Sequence, residues 1–310
     1  MIIKHPVVFP IFILALILAC QTLDGNEIYF EKPPGNILLS FAVASDMRSS
    51  TGKEFYYFRG ICKMLNDGGP GNFMVSPGDI DPPDSTYQTI CRYISPEYFW
   101  YPVVGNHEAE TVYDMAWLRE YNRDGNALPN ITQSGPANGI ETTFSFEYGD
   151  AHFIVLNEYY NGESDIAAEG DIRDELYQWL IADLQTNNKP LIFVFGHEPA
   201  YPQPDQESGR MRHLNTCLDK YPAHRDRFWQ LLIDYQVLAY ICGHTHNYSV
   251  KQFNDVWQID AGHARGIADS GARSTFILFY IMENLEVWHY TYRMKYSDYT
   301  YELVENRLLN

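Results

Sequence analysis

Basic side chains are scarce: 22 Lys and Arg stand against 40 Asp and Glu, for a formal charge of -18. No Lys/Arg-rich stretch interrupts the chain. A surface that recruits nucleic acid by counterion release is therefore not expected, and a polyanionic substrate would need bound cations. Cysteine is sparse too, with 5 in 310 residues and no Cys-x-x-Cys pair, which speaks against a closed structural zinc site. There is no internal repeat and no low-complexity tract. What the chain does have is apolar material, 45% hydrophobic and 15% aromatic residues, ample for a folded core, so disorder is not the class.

One uncharged run stands apart. Lys4 precedes Pro6 to Ala19, 14 residues that are too short for a comfortable membrane span and fit the apolar region of a secretory signal. The run closes on Ile17-Leu18-Ala19-Cys20, which resembles a bacterial lipobox with Ile17 where Leu is usual. The expectation is a signal peptide over 1-19, a tether over 20-35 and one domain over 36-310. Export follows, with attachment to a membrane through a lipid on Cys20 and a periplasmic or cell-surface location, or otherwise plain secretion. Of the remaining thiols, Cys242 closes an apolar run and reads as a core residue, while Cys62 and Cys91 are the pair best placed for a bridge.

Leu38 to Ser45, Phe73 to Ser76, Tyr101 to Val104, Leu191 to Phe195 and Val237 to Ile241 are short apolar runs of the kind found in strands buried on both faces. Helical patterns lie between them. The clearest is Asp171 to Thr186, where Ile172, Leu176, Trp179, Leu180 and Leu184 recur at three- and four-residue steps and Asp171 can cap the start. Thr143 to Asn157 and Ser274 to Arg293 read as hairpins around Gly149-Asp150 and Glu283-Asn284. The class is α/β: a two-sheet mixed β sandwich flanked by helices.

Each apolar run feeds a polar loop: Ser45-Asp46-Met47-Arg48, Gly78-Asp79-Ile80-Asp81, Gly105-Asn106-His107-Glu108, Gly196-His197-Glu198-Pro199 and Gly243-His244-Thr245-His246. In open α/β sheets ligands bind beyond the carboxyl ends of strands, so five separate segments can converge on one crevice. Carboxylate, amide oxygen and imidazole together suit borderline or hard divalent ions such as Zn, Mn and Fe. Two such ions, bridged by a carboxylate and a hydroxide, would neutralise a phosphoryl group and provide the nucleophile. They would also supply the positive charge that the composition withholds. Tyr56, Tyr57 and Tyr101 border the loops and are candidates to line a pocket.

These five blocks resemble the calcineurin-like metallophosphoesterase superfamily, whose pattern is DxH, GDxxD, GNH[DE], a lone GH and GHxH. The resemblance spans Asp46 to His246. It implies an αββα sandwich and phosphoester hydrolysis at two divalent metals. Asp46 and His246 would hold the first, Asp79 would bridge, and Asn106, His197 and His244 would hold the second. His107 would assist the leaving oxygen, with Glu108 behind it.

Two positions depart from the pattern. Arg48 stands where the first block has its second ligand, and a guanidinium has no lone pair to give. The first metal is thus one ligand short, and Arg48 becomes a candidate to grip a phosphate oxygen, with His263 a candidate substitute ligand. Pro82 stands where many relatives carry an Asp that supports the catalytic His, leaving Asp81 or Asp84 for that role. It is also where the purple acid phosphatase branch would place a Tyr, which speaks against that branch. The expected function is hydrolysis of a phosphoester small molecule. The alternative is a non-catalytic surface lipoprotein that binds a phosphorylated ligand through one metal.

Overall fold

The computed structural model describes residues 30-48 and 56-310. The proposed signal segment and Cys20 lie outside the described residues. Within the segment read as a tether, Phe30 is buried against Phe276 and Tyr292, with ring centroids 5.8 and 4.8 Å away.

Strands and helices first alternate, as β1 (Ile37–Val43), α1 (Phe58–Gly68), β2 (Phe73–Ser76), α2 (Pro83–Tyr93) and β3 (Phe99–Pro102). After them come α3 (Asn106–Ala109), α4 (Val112–Tyr121), β4 (Ile131–Ser134) and a hairpin of β5 (Phe144–Tyr148) and β6 (Ala151–Val155). The chain then runs through α5 (Asp174–Thr186), β7 (Leu191–Phe195), α6 (Pro222–Asp234) and β8 (Ala239–Cys242). It closes with β9 (Tyr248–Phe253), β10 (Val256–Ala261), β11 (Thr275–Met282), β12 (Val287–Met294) and β13 (Tyr301–Leu308).

Among the described residues these strands form a six-stranded sheet, β13-β12-β11-β1-β2-β3, and a seven-stranded sheet, β4-β5-β6-β7-β8-β10-β9. Each sheet has a parallel centre, β1-β2-β3 in one and β6-β7-β8-β10 in the other, with antiparallel strands outside it. Side-chain alternation decides what each face meets. Phe41 and Val43 of β1 point between the sheets with Phe73, Phe153 and Phe193, whereas Ala42 and Met74 point to α1, α2 and α4. On the far side Ile154, Val194 and Tyr240 meet α5 and α6. Both faces of β2, β7 and β8 are buried, which is why their sequences are nearly unbroken apolar runs rather than alternating ones. Phe41 is fully buried and stacks on Phe279 at 4.7 Å and Phe73 at 5.2 Å, so truncating it to Ala would cost about 3 to 5 kcal/mol.

Several local expectations shift. The long helix starts at Asp174, not Asp171, because the Asp171 carboxylate is engaged by His224 Nδ1 at 2.8 and 2.9 Å and caps nothing. Strand β3 covers Phe99–Pro102 rather than Tyr101 to Val104, and β8 begins at Ala239. Cys62 and Cys91 do not bridge: both thiols are free, Cys62 inside the core and Cys91 beside Tyr87 of its own helix. Tyr101 is a core residue: it lies between the sheets, stacked on Phe146 at 3.7 Å.

Candidate metal centre

The parallel strand centres set the loops after β1, β2, β3, β7 and β8 at one end of the sandwich. Backbone hydrogen bonds stitch those loops together, Asp46 N–H to Gly78 O at 3.1 Å, Arg48 N–H to Asp79 O at 3.0 Å and Gly243 N–H to His197 O at 2.9 Å. Space is tight. A Cβ on Gly78 would collide with the His197 ring, and one on Gly243 would collide with Ser45 and Asp46, so glycine before the site residue is a steric requirement.

Four site residues adopt left-handed backbone, Asp46 at φ 51°, Asp79 at 51°, His244 at 68° and His246 at 58°. Each such residue costs on the order of 1 kcal/mol and persists only where its surroundings enforce it. The enforcement is visible. Thr245 between the two histidines is fixed by the buried Asp260 carboxylate, which leaves His244 and His246 to face the crevice. Glu108 accepts the N–H groups of Asp79 at 3.0 Å, Ile80 at 2.9 Å and Gly105 at 2.7 Å, locking the second and third loops together.

The side chains form two groups that share Asp79. His246 Nε2 is 3.5 Å from Asp46 Oδ1, and together with Asp79 these residues set donor atoms within 4.8 Å of one another. Around His197 Nε2 lie Asp79 Oδ1 at 3.3 Å, Asn106 Oδ1 at 3.3 Å and His244 Nδ1 at 3.1 Å. The histidine tautomers suit this purpose. His197 Nδ1 donates to Pro77 O at 2.8 Å and His246 Nδ1 donates to Asp269 Oδ2 at 2.7 Å, so each Nε2 lone pair points inward.

Electrostatics lead to the same fit. Burial, followed by the neighbouring Asp79, pushes the Asp46 carboxyl well above its ordinary value. Burial likewise raises Asp79 to about 6 and lowers His197 to about 4 and His246 to about 3. Neutral imidazoles next to buried carboxylates suit a divalent cation. Asp46 Oδ1 is buried with no hydrogen-bond partner, an atom that a metal would satisfy. Oxygen and nitrogen donors suit Zn, Mn or Fe.

His107 sits at the rim, Nε2 3.6 Å from Asp79 Oδ2 and Nδ1 3.5 Å from Glu110 Oε2. Neither Asp81 nor Asp84 reaches it. Asp81 pairs with Arg48 Nε at 3.5 Å, and Asp84 accepts from Ser85 and Tyr113. Glu110, one helical turn from His107 on an exposed surface, stands in that place instead. His263 is no substitute ligand: Nε2 donates to Ala272 O at 3.0 Å and Nδ1 accepts from Arg265 N–H at 3.2 Å, so both nitrogens are spent. Glu158 and Asp269 were not legible in advance. Glu158 accepts the N–H of His197 at 2.9 Å, and both carboxylates come from loops without a motif.

Fold and cluster together define a metal-binding phosphoesterase sandwich. The calcineurin-like phosphoesterase family model matches residues 39–248, and the chain belongs to that family. Purple acid phosphatase 21 of Arabidopsis thaliana is 23% identical over 235 residues, covering 72% of this chain and 47% of that protein. Purple acid phosphatase 18 of the same plant is 24% identical over 198 residues, covering 57% and 39%. The chain thus spans less than half the length of both. They belong to the branch that Pro82 speaks against; in this fold Pro82 precedes the first turn of α2. Among solved structures, GAP50, the anchor in the inner membrane complex of Plasmodium, superposes with a TM-score of 0.55 at 16% identity, covering 88% of each chain. PhoD superposes with a TM-score of 0.55 at 13% identity, covering 90% of this chain and 72% of that one. At such identities both likenesses concern the fold.

Proposed function

We propose that the chain is a metal-dependent phosphoester hydrolase with a dinuclear site. The observation that supports it most is the convergence of Asp46, Asp79, Asn106, His197, His244 and His246 from four strand-end loops and the turn after β8, with an orphaned carboxylate oxygen at the centre. Asp46, His246 and Asp79 would hold one ion, and Asp79, Asn106, His197 and His244 the other. When bound, such ions neutralise phosphoryl charge and acidify the attacking water.

The rest falls to the protein. Glu108 holds the Asp79 and Asn106 loops at fixed separation, which keeps the substrate phosphorus in one place. His107 lies within reach of Asp79 at the open rim, where an imidazolium can hand its proton to the departing alkoxide. Glu110 would orient that ring through Nδ1. Arg48, 38% exposed and within 3.5 Å of Asp81 among the described residues, has donors to offer a phosphate oxygen. The N-terminal pattern supports an exported, lipid-anchored setting.

Protein reloaded with Mn, Zn or Fe should cleave a chromogenic phosphomonoester or diester. Asp79→Asn and His107→Ala should each abolish turnover while leaving the melting temperature near that of the parent. Full activity in both variants would overturn the assignment. The one-metal binding protein is motivated by Arg48 standing beside Asp81 where a ligand is missing. It predicts one metal per chain and no turnover on any phosphoester.

A further inference from the structure

The loop between β7 and α6 brings a second guanidinium to the centre. Its root is fixed by an ion pair of two buried residues, Arg293 Nη2 to Asp205 Oδ2 at 2.8 Å. Beyond that root Arg210 donates from all three nitrogens, to Asn247 Oδ1 at 2.9 Å, Asp269 Oδ1 at 2.8 Å and His246 O at 3.1 Å. Arg212 donates from two. Its Nη1 makes a long 3.4 Å contact to Asp269 Oδ2, the oxygen behind His246, and its Nη2 donates to His213 Nε2 at 3.1 Å. The His213 ring lies 4.3 Å from the His244 ring.

The Arg212 fork therefore reaches from the partner of His246 to the neighbour of His244, across both metal half-sites. Because a guanidinium only donates, His213 Nε2 must accept, and a neutral His213 carries its proton on Nδ1 as a further donor. The Arg212 side chain keeps 32% exposure, so N–H groups remain for a ligand.

Phosphate chemistry gives this surplus a use. A phosphomonoester has three non-bridging oxygens and nearly two negative charges, whereas a diester has two such oxygens and one charge. If each ion takes one oxygen, only a monoester has a third left for a forked donor. We propose that Arg212, with His213 beside it, is a specificity-determining clamp for the third phosphoryl oxygen and selects terminal, dianionic phosphate groups. This rests on the hydrolase reading above.

Inorganic phosphate is the direct probe. Calorimetric titration into the full metal-loaded chain should show Arg212→Gln binding about 10- to 100-fold more weakly than the parent, with Arg212→Lys in between. Both variants should keep the parent's metal stoichiometry and melting temperature. With para-nitrophenyl phosphate the Gln variant should lose kcat/KM in the same proportion, while bis(para-nitrophenyl) phosphate should change by less than about threefold. Unchanged phosphate affinity in the Gln variant, no phosphate binding by the parent, or equal losses on the two esters would each overturn the clamp. If no ester is cleaved with any metal, the hydrolase reading fails, and the phosphate titration still decides the role of Arg212.

Discussion

Glu108 Oε2 lies 3.0 Å from the backbone nitrogen of Asp79 and 2.7 Å from that of Gly105, so one buried carboxylate joins the loop of Asp79 to the loop of Asn106. Burial and the nearby Asp79 and Asp81 charges hold its own carboxyl well above the ordinary value, against the pull of the N–H donors. Glu108→Ala would leave three N–H groups without an acceptor. The expected cost is about 2 to 4 kcal/mol of stability, read from urea unfolding, with metal affinity about 10- to 100-fold lower. Parent-like stability and metal binding would show that the tie between these loops is dispensable.

Asp269 orients His246 from behind. Burial alone would push its carboxyl up, but hydrogen bonds from His246, Arg210 and the Gly271 N–H outweigh that and hold it well below the usual carboxylate range. Asp269→Asn keeps the shape and removes the charge, so His246 can present the wrong tautomer. Chelator competition should then show one ion bound about 10- to 100-fold more weakly and the other unchanged. Equal weakening of both ions would mean that the whole loop has moved instead.

His289, fully buried on β12, gives the fold a pH dependence separate from the metals. Burial lowers it from 6.5 to about 4, so the unfolded chain binds a proton that the folded chain refuses in that window. Stability is therefore full above about pH 6.5 and declines as pH falls toward 4, by about 3 kcal/mol from this residue. In chelator, His289→Gln should have a urea midpoint that falls less than the parent's between pH 7 and 4.5. An identical decline would assign the acid sensitivity to other buried histidines, such as His263.

The five strand-end loops could be read in advance because metal donors at the ends of buried strands, each preceded by a small residue, are a local pattern. Both hairpins were legible for the same kind of reason, alternating side chains around a turn. Helix α5 was misplaced at its start because Asp171 looks like a cap, and only the fold reveals that His224, distant in sequence, takes that carboxylate. Asp269, Glu158 and Arg212 had no signature, since their roles depend on where long loops pack against the centre. The Cys62 and Cys91 pairing failed likewise: Cys91 is late in α2 but Cys62 lies in the first half of α1, and side-chain direction, which spacing does not encode, buries one and turns the other toward Tyr87.

Arg48→His would restore the donor that the family pattern has after Asp46. At present Arg48 places a positive charge beside Asp79, strong enough to oppose the rise in its carboxyl, and any cation between Asp46, Asp79 and His246 meets that charge. Replacing it removes the repulsion and adds an imidazole lone pair. Titrating chelator-stripped protein with Mn should show the weaker of two binding steps tightened by about 10-fold or more, and the tighter step should stay where it was. Phosphate affinity should fall in the same variant, because the new imidazole ligates metal where the guanidinium offered N–H groups. Two binding steps identical to the parent's would show that the Arg48 side chain has no influence on the first metal position.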